Sequence, residues 1–169
     1  MLVTRASGNE AAGGWWRFKK QPATLPDERW TELPSLSGRP PRVLIECEDT
    51  GLTWAIERLL GDAGYEVAAC VGPSAEATCA LATTGECELQ AGADVIINHL
   101  GSDAGTGSLA VATRAAYPET PVIVSARTHL PEGEPTDMTV LAEPWQSEAL
   151  VATLDELTGW SSRPRASEE

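Results

Sequence analysis

The chain has no long hydrophobic run, and this absence limits where the protein can reside. Its strongly apolar stretches are short, at 43–45, 95–97 and 122–124, whereas a membrane-spanning helix needs about 20 such residues. The first fourteen residues contain no apolar segment of about 7 to 15 residues, the mark of a secretory signal peptide. We therefore expect a cytoplasmic protein without a membrane span.

Basic residues are scarce in most of the chain. There are 12 Lys and Arg against 25 Asp and Glu, for a formal charge of −13. Residues 43–158 contain only three basic residues and nineteen acidic ones, whereas residues 1–42 carry a net charge of +3. A body this acidic repels the phosphate backbone, which nucleic-acid-binding proteins neutralise with Lys and Arg. We predict no direct nucleic-acid partner and expect protein partners with basic surfaces.

Residues that carry common enzyme chemistry are also few. His99 and His129 are the only imidazoles, and no motif pairs a nucleophile with a base, so we predict a protein that is not an enzyme. None of the four cysteines forms a Cys-x-x-Cys pair, so we predict no zinc site, and no cofactor is indicated. Cys79 and Cys87 flank a short loop, and a bridge between them under oxidation stays open.

From residue 42 onward, short apolar runs alternate with segments of helical pattern. Strands are predicted at 43–47, 65–71, 93–100, 121–126 and 138–145, and helices at 50–64, 108–117 and 147–160. Ser147 is the predicted N-cap of the last helix, and the stretch between the second and third strands begins helical but breaks near Gly85. Apolar strands alternating with helices indicate a parallel sheet covered on both faces. We predict a doubly wound, five-stranded, three-layer α/β domain.

The predicted domain lies between two segments of different composition. Residues 1–41 read as a flexible basic arm rich in Trp and Pro, residues 42–158 as the domain, and residues 159–169 as a disordered tail. The arm contains Trp15, Trp16 and Trp30 beside basic residues. It either docks on the acidic body or binds a partner, for which Trp is a favoured anchor. Adsorption of WWRFKK to a membrane surface is a third interpretation.

Polar residues follow the predicted strands at their carboxyl ends, where open α/β sheets bind ligands. The residues at these ends are Cys47, Glu48, Asp49, Asn98, His99, Ser125, Ala126 and Glu143. The segments VLIECEDT, GYEVAAC, ADVIINHLGSDAGTG, YPETPVIVSA and VLAEPW, in this order, resemble the CheY-like receiver domain of bacterial response regulators. The resemblance covers roughly residues 42–157 and implies the flavodoxin-like fold. Frequent Ala, Gly, Pro, Arg and Trp with little Lys are typical of a GC-rich, actinobacterial type of genome.

The resemblance assigns a role to each polar position. A working receiver holds magnesium with an acidic pair after its first strand and takes phosphate on an Asp that ends its third strand. A Ser or Thr after strand four and a Lys after strand five then bind the phosphoryl group. Carried over in order, the acidic pair falls on Cys47 and Glu48, with Asp49 next, and the acceptor falls on His99. The Gly of the following loop falls on Gly107. The hydroxyl position is Ser125 or Ala126, and the Lys position is Glu143.

Two of these departures remove the family's switch chemistry. His99 is not a carboxylate acceptor, and Glu143 adds negative charge where a cation is needed. Two like charges about 4 Å apart cost on the order of 4 kcal/mol at an effective dielectric of 20. The resemblance therefore implies a stand-alone pseudo-receiver, a regulatory protein that works in signal transduction or transcription control by phosphorylation-independent protein binding. A homodimer is compatible with this interpretation.

Several alternatives stay open at this point. His99 is a polar residue filling a vacated pocket, a phosphohistidine acceptor, a metal ligand or a pH sensor. Glu48, Asp49, His99 and Glu143 together offer ligands for a divalent cation, although we predict no metal. The second hypothesis is that the chain is a receiver that still takes phosphate, at Asp49, Asp103 or His99, or that it is a small-ligand or redox sensor. Trp145 either anchors a partner or caps the core.

Overall fold

The structure is a computed structural model that describes Trp30 and residues 38–73, 79–100, 107–125 and 137–161. Within these residues the elements, in chain order, are β1 (Arg42–Cys47), α1 (Thr50–Asp62), β2 (Glu66–Cys70), α2 (Ala80–Thr84), α3 (Glu88–Ala91), β3 (Val95–His99), α4 (Gly107–Ala116), β4 (Val122–Ser125), β5 (Thr139–Leu141) and α5 (Ser147–Thr158). The predictions for Trp15, Trp16, Asp103, Ala126 and His129 fall outside the described residues.

The five strands form one parallel sheet in the order β2-β1-β3-β4-β5. β1 lies between β2 and β3, so that Val43 is paired with both Val67 and Val95. This order reverses direction at β1, as in doubly wound sheets of the flavodoxin-like type. The predicted α/β class and five-stranded parallel sheet are confirmed.

Helices cover both faces of the sheet, as the apolar strands require. On one face, Ile56 and Leu60 of α1 and Leu150 and Leu154 of α5 pack on the strands. On the other face, α2, α3 and α4 contribute to three smaller apolar clusters. The three-layer architecture is therefore confirmed. No helix in the described part of the chain is both long and apolar enough to cross a membrane.

The first helix begins at a capping residue that the sequence analysis had assigned to the site. Asp49 has extended backbone angles, and its Oδ1 accepts hydrogen bonds from the amides of Gly51 and Leu52 at 2.8 and 2.9 Å. Such a carboxylate satisfies amides that have no partner inside the helix. The helix ends at Asp62, just before Gly64, which has a φ of +91°.

Two predicted boundaries at the end of the domain are wrong. Ser147 is the first helical residue of α5, whereas Gln146 is the extended cap, because the amide of Leu150 already bonds to the Gln146 carbonyl at 3.0 Å. β5 ends at Leu141 rather than continuing to Trp145. Pro144 has no amide hydrogen to give to a ladder, and its peptide bond with Glu143 is cis.

Residues at both predicted boundaries of the domain contact its body. Trp30 is only 7% exposed and packs beside Leu44 and Ile96. At the other end, Trp160 packs against the α1–α5 side of the core. Arg39 pairs with Asp94 at 2.9 Å. The extent and flexibility of the arm and the disorder of the tail stay predictions.

Candidate functional site

Three of the predicted site residues meet at the carboxyl edge of the sheet because of strand register. Cys47, the last residue of β1, is paired with His99, the last residue of β3. Asn98 is paired with Val124, so Ser125 is the residue of β4 that follows in the same register. Side chains at matched positions of parallel strands point to the same face. Cys47, His99 and Ser125 therefore lie on the face covered by α1 and α5.

Glu143 joins this group from the segment after β5. Its Oε1 lies 3.0 Å from Nε2 of His99 and also accepts a hydrogen bond from the hydroxyl of Ser125. The two side chains are mostly buried, at 22% exposure for His99 and 13% for Glu143. One carboxylate oxygen of Glu143 thus contacts both the imidazole of His99 and the hydroxyl of Ser125. It is Ser125, one of the two predicted hydroxyl positions, that contributes to the site.

Cys47 lies on the other side of the same imidazole. Its Sγ is 3.9 Å from Nδ1 of His99 and 3.5 Å from the carbonyl oxygen of Asp49. Although no sequence motif pairs a nucleophile with a base, the fold places the thiol of Cys47, the imidazole of His99 and the carboxylate of Glu143 next to one another in that order. Cys47 is only 1% exposed, however, and buried structural cysteines are inert. The arrangement closes a pocket and presents no thiol to a substrate.

Trp145 covers the cluster. Its ring meets that of His99 edge to face, with centroids 4.9 Å apart and an interplanar angle of 86°. It also packs against the core beneath α1 and α5. Its indole nitrogen is buried and has no hydrogen-bond partner among the described residues. These contacts favour the core-capping interpretation of Trp145, and its use as a partner anchor stays a prediction.

Glu48 and Asp49 do not add their side chains to the cluster. Glu48 is exposed, and the Asp49 carboxylate is held by the amides of α1. The prediction that these acids converge with His99 and Glu143 is wrong, because Asp49 is directed into the helix start that follows it. Among residues that the structure describes, no three His, Cys, Asp or Glu side chains are placed to hold a metal ion.

Comparison with solved structures gives matches that span the domain. The chemotaxis protein CheY4 of Vibrio cholerae matches with 24% identity over 70% of this chain and 98% of its own, with a TM-score of 0.51. A receiver domain protein of Bacillus halodurans gives 21% identity over 70% and 97%, with a TM-score of 0.53. An orphan response regulator of H. pylori gives 20% identity over 72% and 99%, with a TM-score of 0.51.

The chain has the receiver fold. At these identities the likeness concerns the fold alone. No protein-family model matches the sequence, and no curated protein matches it either. The receiver fold nevertheless explains why the sequence segments that carry the resemblance end at one edge, because each contributes the carboxyl end of a strand to that edge.

A second polar cluster, which the sequence analysis missed, lies on the opposite face of the receiver fold. Glu46 of β1 accepts hydrogen bonds from the Gln90 amide at 2.6 Å and from the Asn98 amide at 2.7 Å, and Gln90 also donates to Thr113 at 2.8 Å. All four residues are buried. Glu46 and Asn98 are register partners. Polar residues at matched positions of two apolar strands were the signal in the sequence.

The buried environment changes the proton affinity of this cluster. Burial raises the pKa of Glu46, and the hydrogen bonds from Gln90 and Asn98 oppose that rise. Burial also raises the pKa values of the Cys70 and Cys87 thiols, and the nearby charge of Glu46 raises them further. Charged forms are disfavoured throughout this face, so Cys70 and Cys87 are poor nucleophiles.

Proposed function

We propose that the protein is a pseudo-receiver, a regulatory module without enzymatic activity that acts in signalling or transcription control by binding other proteins. It adopts one state without phosphorylation. The receiver fold supports the signalling role, and the polar cluster at its carboxyl edge supports the independence from phosphate. The single observation that carries the proposal is the double hydrogen bonding of Glu143 to Ser125 and His99.

Glu143 acts as a built-in anion. By the resemblance, the hydroxyl after strand four and the residue before the proline after strand five should bind an incoming phosphoryl group. In this chain the hydroxyl of Ser125 is engaged by a carboxylate of the protein itself. A phosphoryl group would have to displace that carboxylate and would meet its negative charge. The pocket thus holds its anion permanently.

The residues that should hold magnesium support the same conclusion. Cys47 occupies the first acidic position and is buried against His99. Glu48, at the second acidic position, is exposed, and Asp49, the next carboxylate along the chain, caps α1 with its Oδ1. Magnesium binds hard oxygen ligands and favours at least one or two carboxylates. Among the described residues, no three His, Cys, Asp or Glu side chains are placed together as such ligands.

The protein-binding role rests on surface properties. The domain is strongly acidic, which favours partners with basic surfaces and disfavours nucleic acid. The resemblance implies β5 and α5 as the contact face, and Val140 of β5 is 57% exposed. Homodimerisation through this face and a bacterial, cytoplasmic setting belong to the same proposal.

The test is intact-mass analysis of the full chain after incubation with magnesium and a small phosphodonor such as acetyl phosphate. We expect no added phosphoryl mass. Thermal unfolding with and without magnesium and beryllofluoride should give the same midpoint. A working receiver domain treated in parallel controls for the reagents.

A matched variant makes the negative result informative. The triple substitution Cys47→Asp, His99→Asp and Glu143→Lys restores the first acid, the acceptor and the cation that the resemblance requires, and we expect it to gain phosphoryl mass or to be stabilised by beryllofluoride. A single phosphoryl group on the unaltered chain would overturn the proposal in favour of a receiver with an unusual acceptor. The modified residue would then be mapped among Asp49, Asp103 and His99.

A further inference from the structure

A groove between α1 and α5 lies outside the site described above. It has a volume of about 410 Å³ and is lined by Leu59, Ser147, Glu148, Val151, Ala152 and Asp155. Its apolar surface comes from Leu59 of α1 and from Val151 and Ala152 of α5. The groove runs along the outer side of the core that contains Leu60 and Leu154.

The groove combines apolar walls with acidic groups. Glu148 is exposed in the first turn of α5, and Asp155 accepts a hydrogen bond from the buried Tyr65. None of the described residues that line the groove is basic. Its chemistry therefore fits a ligand that presents aromatic or aliphatic groups next to positive charges.

We propose that this groove binds residues 15–20 of the same chain, the segment WWRFKK. This segment carries three aromatic side chains and three cations within six residues. The domain, in contrast, carries nineteen acids and three basic residues between 43 and 158. Trp15, Trp16 or Phe18 fills the apolar part of the groove, and Lys19 and Lys20 face Glu148 and Asp155. The inference does not depend on the phosphorylation state of the site.

The position of Trp30 makes this docking reachable. Trp30 is anchored on the body, where its indole donates to the Leu89 carbonyl at 3.1 Å and its ring lies 5.4 Å from the guanidinium carbon of Arg42. Ten positions separate it from Lys20, and an extended chain of that length spans at most roughly 33 to 36 Å. Because Trp30 packs on the face of the sheet opposite the groove, the segment must run nearly extended around the edge of the sheet to reach it. Trp30 also shows that the body accepts an aromatic residue beside a cation.

Lys19 and Lys20 are the only two lysines of the chain, which makes cross-linking specific for this segment. A water-soluble carbodiimide joins a lysine amine to a carboxylate in direct contact, without a spacer. We expect the full chain, treated as a dilute monomer, to give intramolecular links from Lys19 or Lys20 to Glu148 or Asp155. Peptide mass mapping identifies the linked pairs, and the monomer is separated from any covalent dimer before digestion.

Charge and aromatic variants test the same contact from both sides. Glu148→Arg should reduce the links to Asp155 at least threefold. Glu156→Arg makes an equal charge change on an exposed residue of α5 outside the groove and should leave their yield within a factor of two. Trp15→Ala with Trp16→Ala changes only the arm and should also reduce the links at least threefold.

Each other outcome overturns the proposal. Links that occur only between two chains would mean that the groove receives the arm of a second copy. Links confined to acids outside the groove, or an absence of links, would mean that the arm does not dock there. Equal loss of links in the Glu148→Arg and Glu156→Arg variants would show long-range attraction to the acidic body without a specific groove.

Discussion

The thiol of Cys47 lies 3.9 Å from Nδ1 of His99, because β1 and β3 bring their last residues into register. The other ring nitrogen faces Glu143 at 3.0 Å. This order of thiol, imidazole and carboxylate would favour a reactive thiolate if the sulfur were open to solvent. Cys47 is closed off instead, and the consequence is measurable.

We predict that Cys47 is alkylated at least tenfold more slowly than Cys79 when the folded protein is treated with iodoacetamide. The physical reason is access, since Cys47 is buried and Cys79 is half-buried at the N-terminus of α2. Peptide mass mapping of a time course gives both rates. In urea the two rates should become similar, and rapid labelling of Cys47 in the folded chain would contradict its burial.

Glu143→Ala should destabilise the fold by about 1–3 kcal/mol, the usual cost of leaving buried polar groups without a partner. The substitution removes the acceptor shared by Ser125 and His99. Urea unfolding followed by circular dichroism measures the change. Glu156→Ala, at an exposed position of α5, is the matched control and should change stability by less than about 0.5 kcal/mol. Equal effects would show that the hydrogen bonds of Glu143 contribute nothing net.

Glu46 should make stability depend on pH. Because burial raises its pKa above the ordinary value of 4.5, the folded state binds the proton more tightly than the unfolded chain does. Its contribution is therefore complete below about pH 4.5 and is lost as pH rises through the folded pKa.

Two substitutions at this position separate charge from packing. Glu46→Gln should be more stable than the unaltered chain at pH 8 but not at pH 4.5, because it never ionises and the amides of Gln90 and Asn98 can rotate to pair with it. Glu46→Ala leaves both amides without this partner and should lose about 1–3 kcal/mol. Urea titrations at pH 4.5, 6 and 8 measure the differences. A Gln variant with no pH-dependent gain would contradict the raised pKa.

Gly92→Ala should displace Trp30 from the body. A Cβ at this position would lie 2.6 Å from Cδ1 and 2.8 Å from Nε1 of Trp30, so the indole must move and its bond to Leu89 is lost. We expect a destabilisation of about 1–3 kcal/mol, typical of overpacking. Unfolding curves and the protection of the Trp30 indole hydrogen by NMR give the two readouts. Gly61→Ala is the control, since a Cβ there meets nothing within 4 Å; a Trp30 signal that stays protected in the Gly92 variant would contradict the packing.

The sequence contained enough information for the fold. Apolar runs such as VLI at 43–45 and VII at 95–97 are buried on both faces of the sheet, and helical segments alternate with them. These local patterns have a period that one sequence can reveal. Boundaries were less accurate: Ser147 was misassigned because a cap depends on backbone angles, which the residue type only biases.

The sequence predicted which residues belong to the candidate site better than it predicted which of them touch. Cys47, His99, Ser125 and Glu143 were selected because they end strands, and the structure does bring them together. Asp49 was selected by the same reasoning and instead caps α1. An Asp directly before an amphipathic helix was a capping signal, but the resemblance drew attention to its charge.

The sequence by itself determined the α/β class, the acidic composition of residues 43–158, the basic and aromatic composition of the segment WWRFKK, and the presence of His99 and Glu143 at the positions that the resemblance assigns to the acceptor and the cation. Tertiary structure alone decided which groups touch: the shared Glu143 oxygen, the thiol beside the imidazole, the buried Glu46 cluster and the anchoring of Trp30. The physical reason is range. Strand and helix patterns arise from neighbours along the chain, whereas these contacts join residues 18 to 59 positions apart, which only strand register and helix packing bring together.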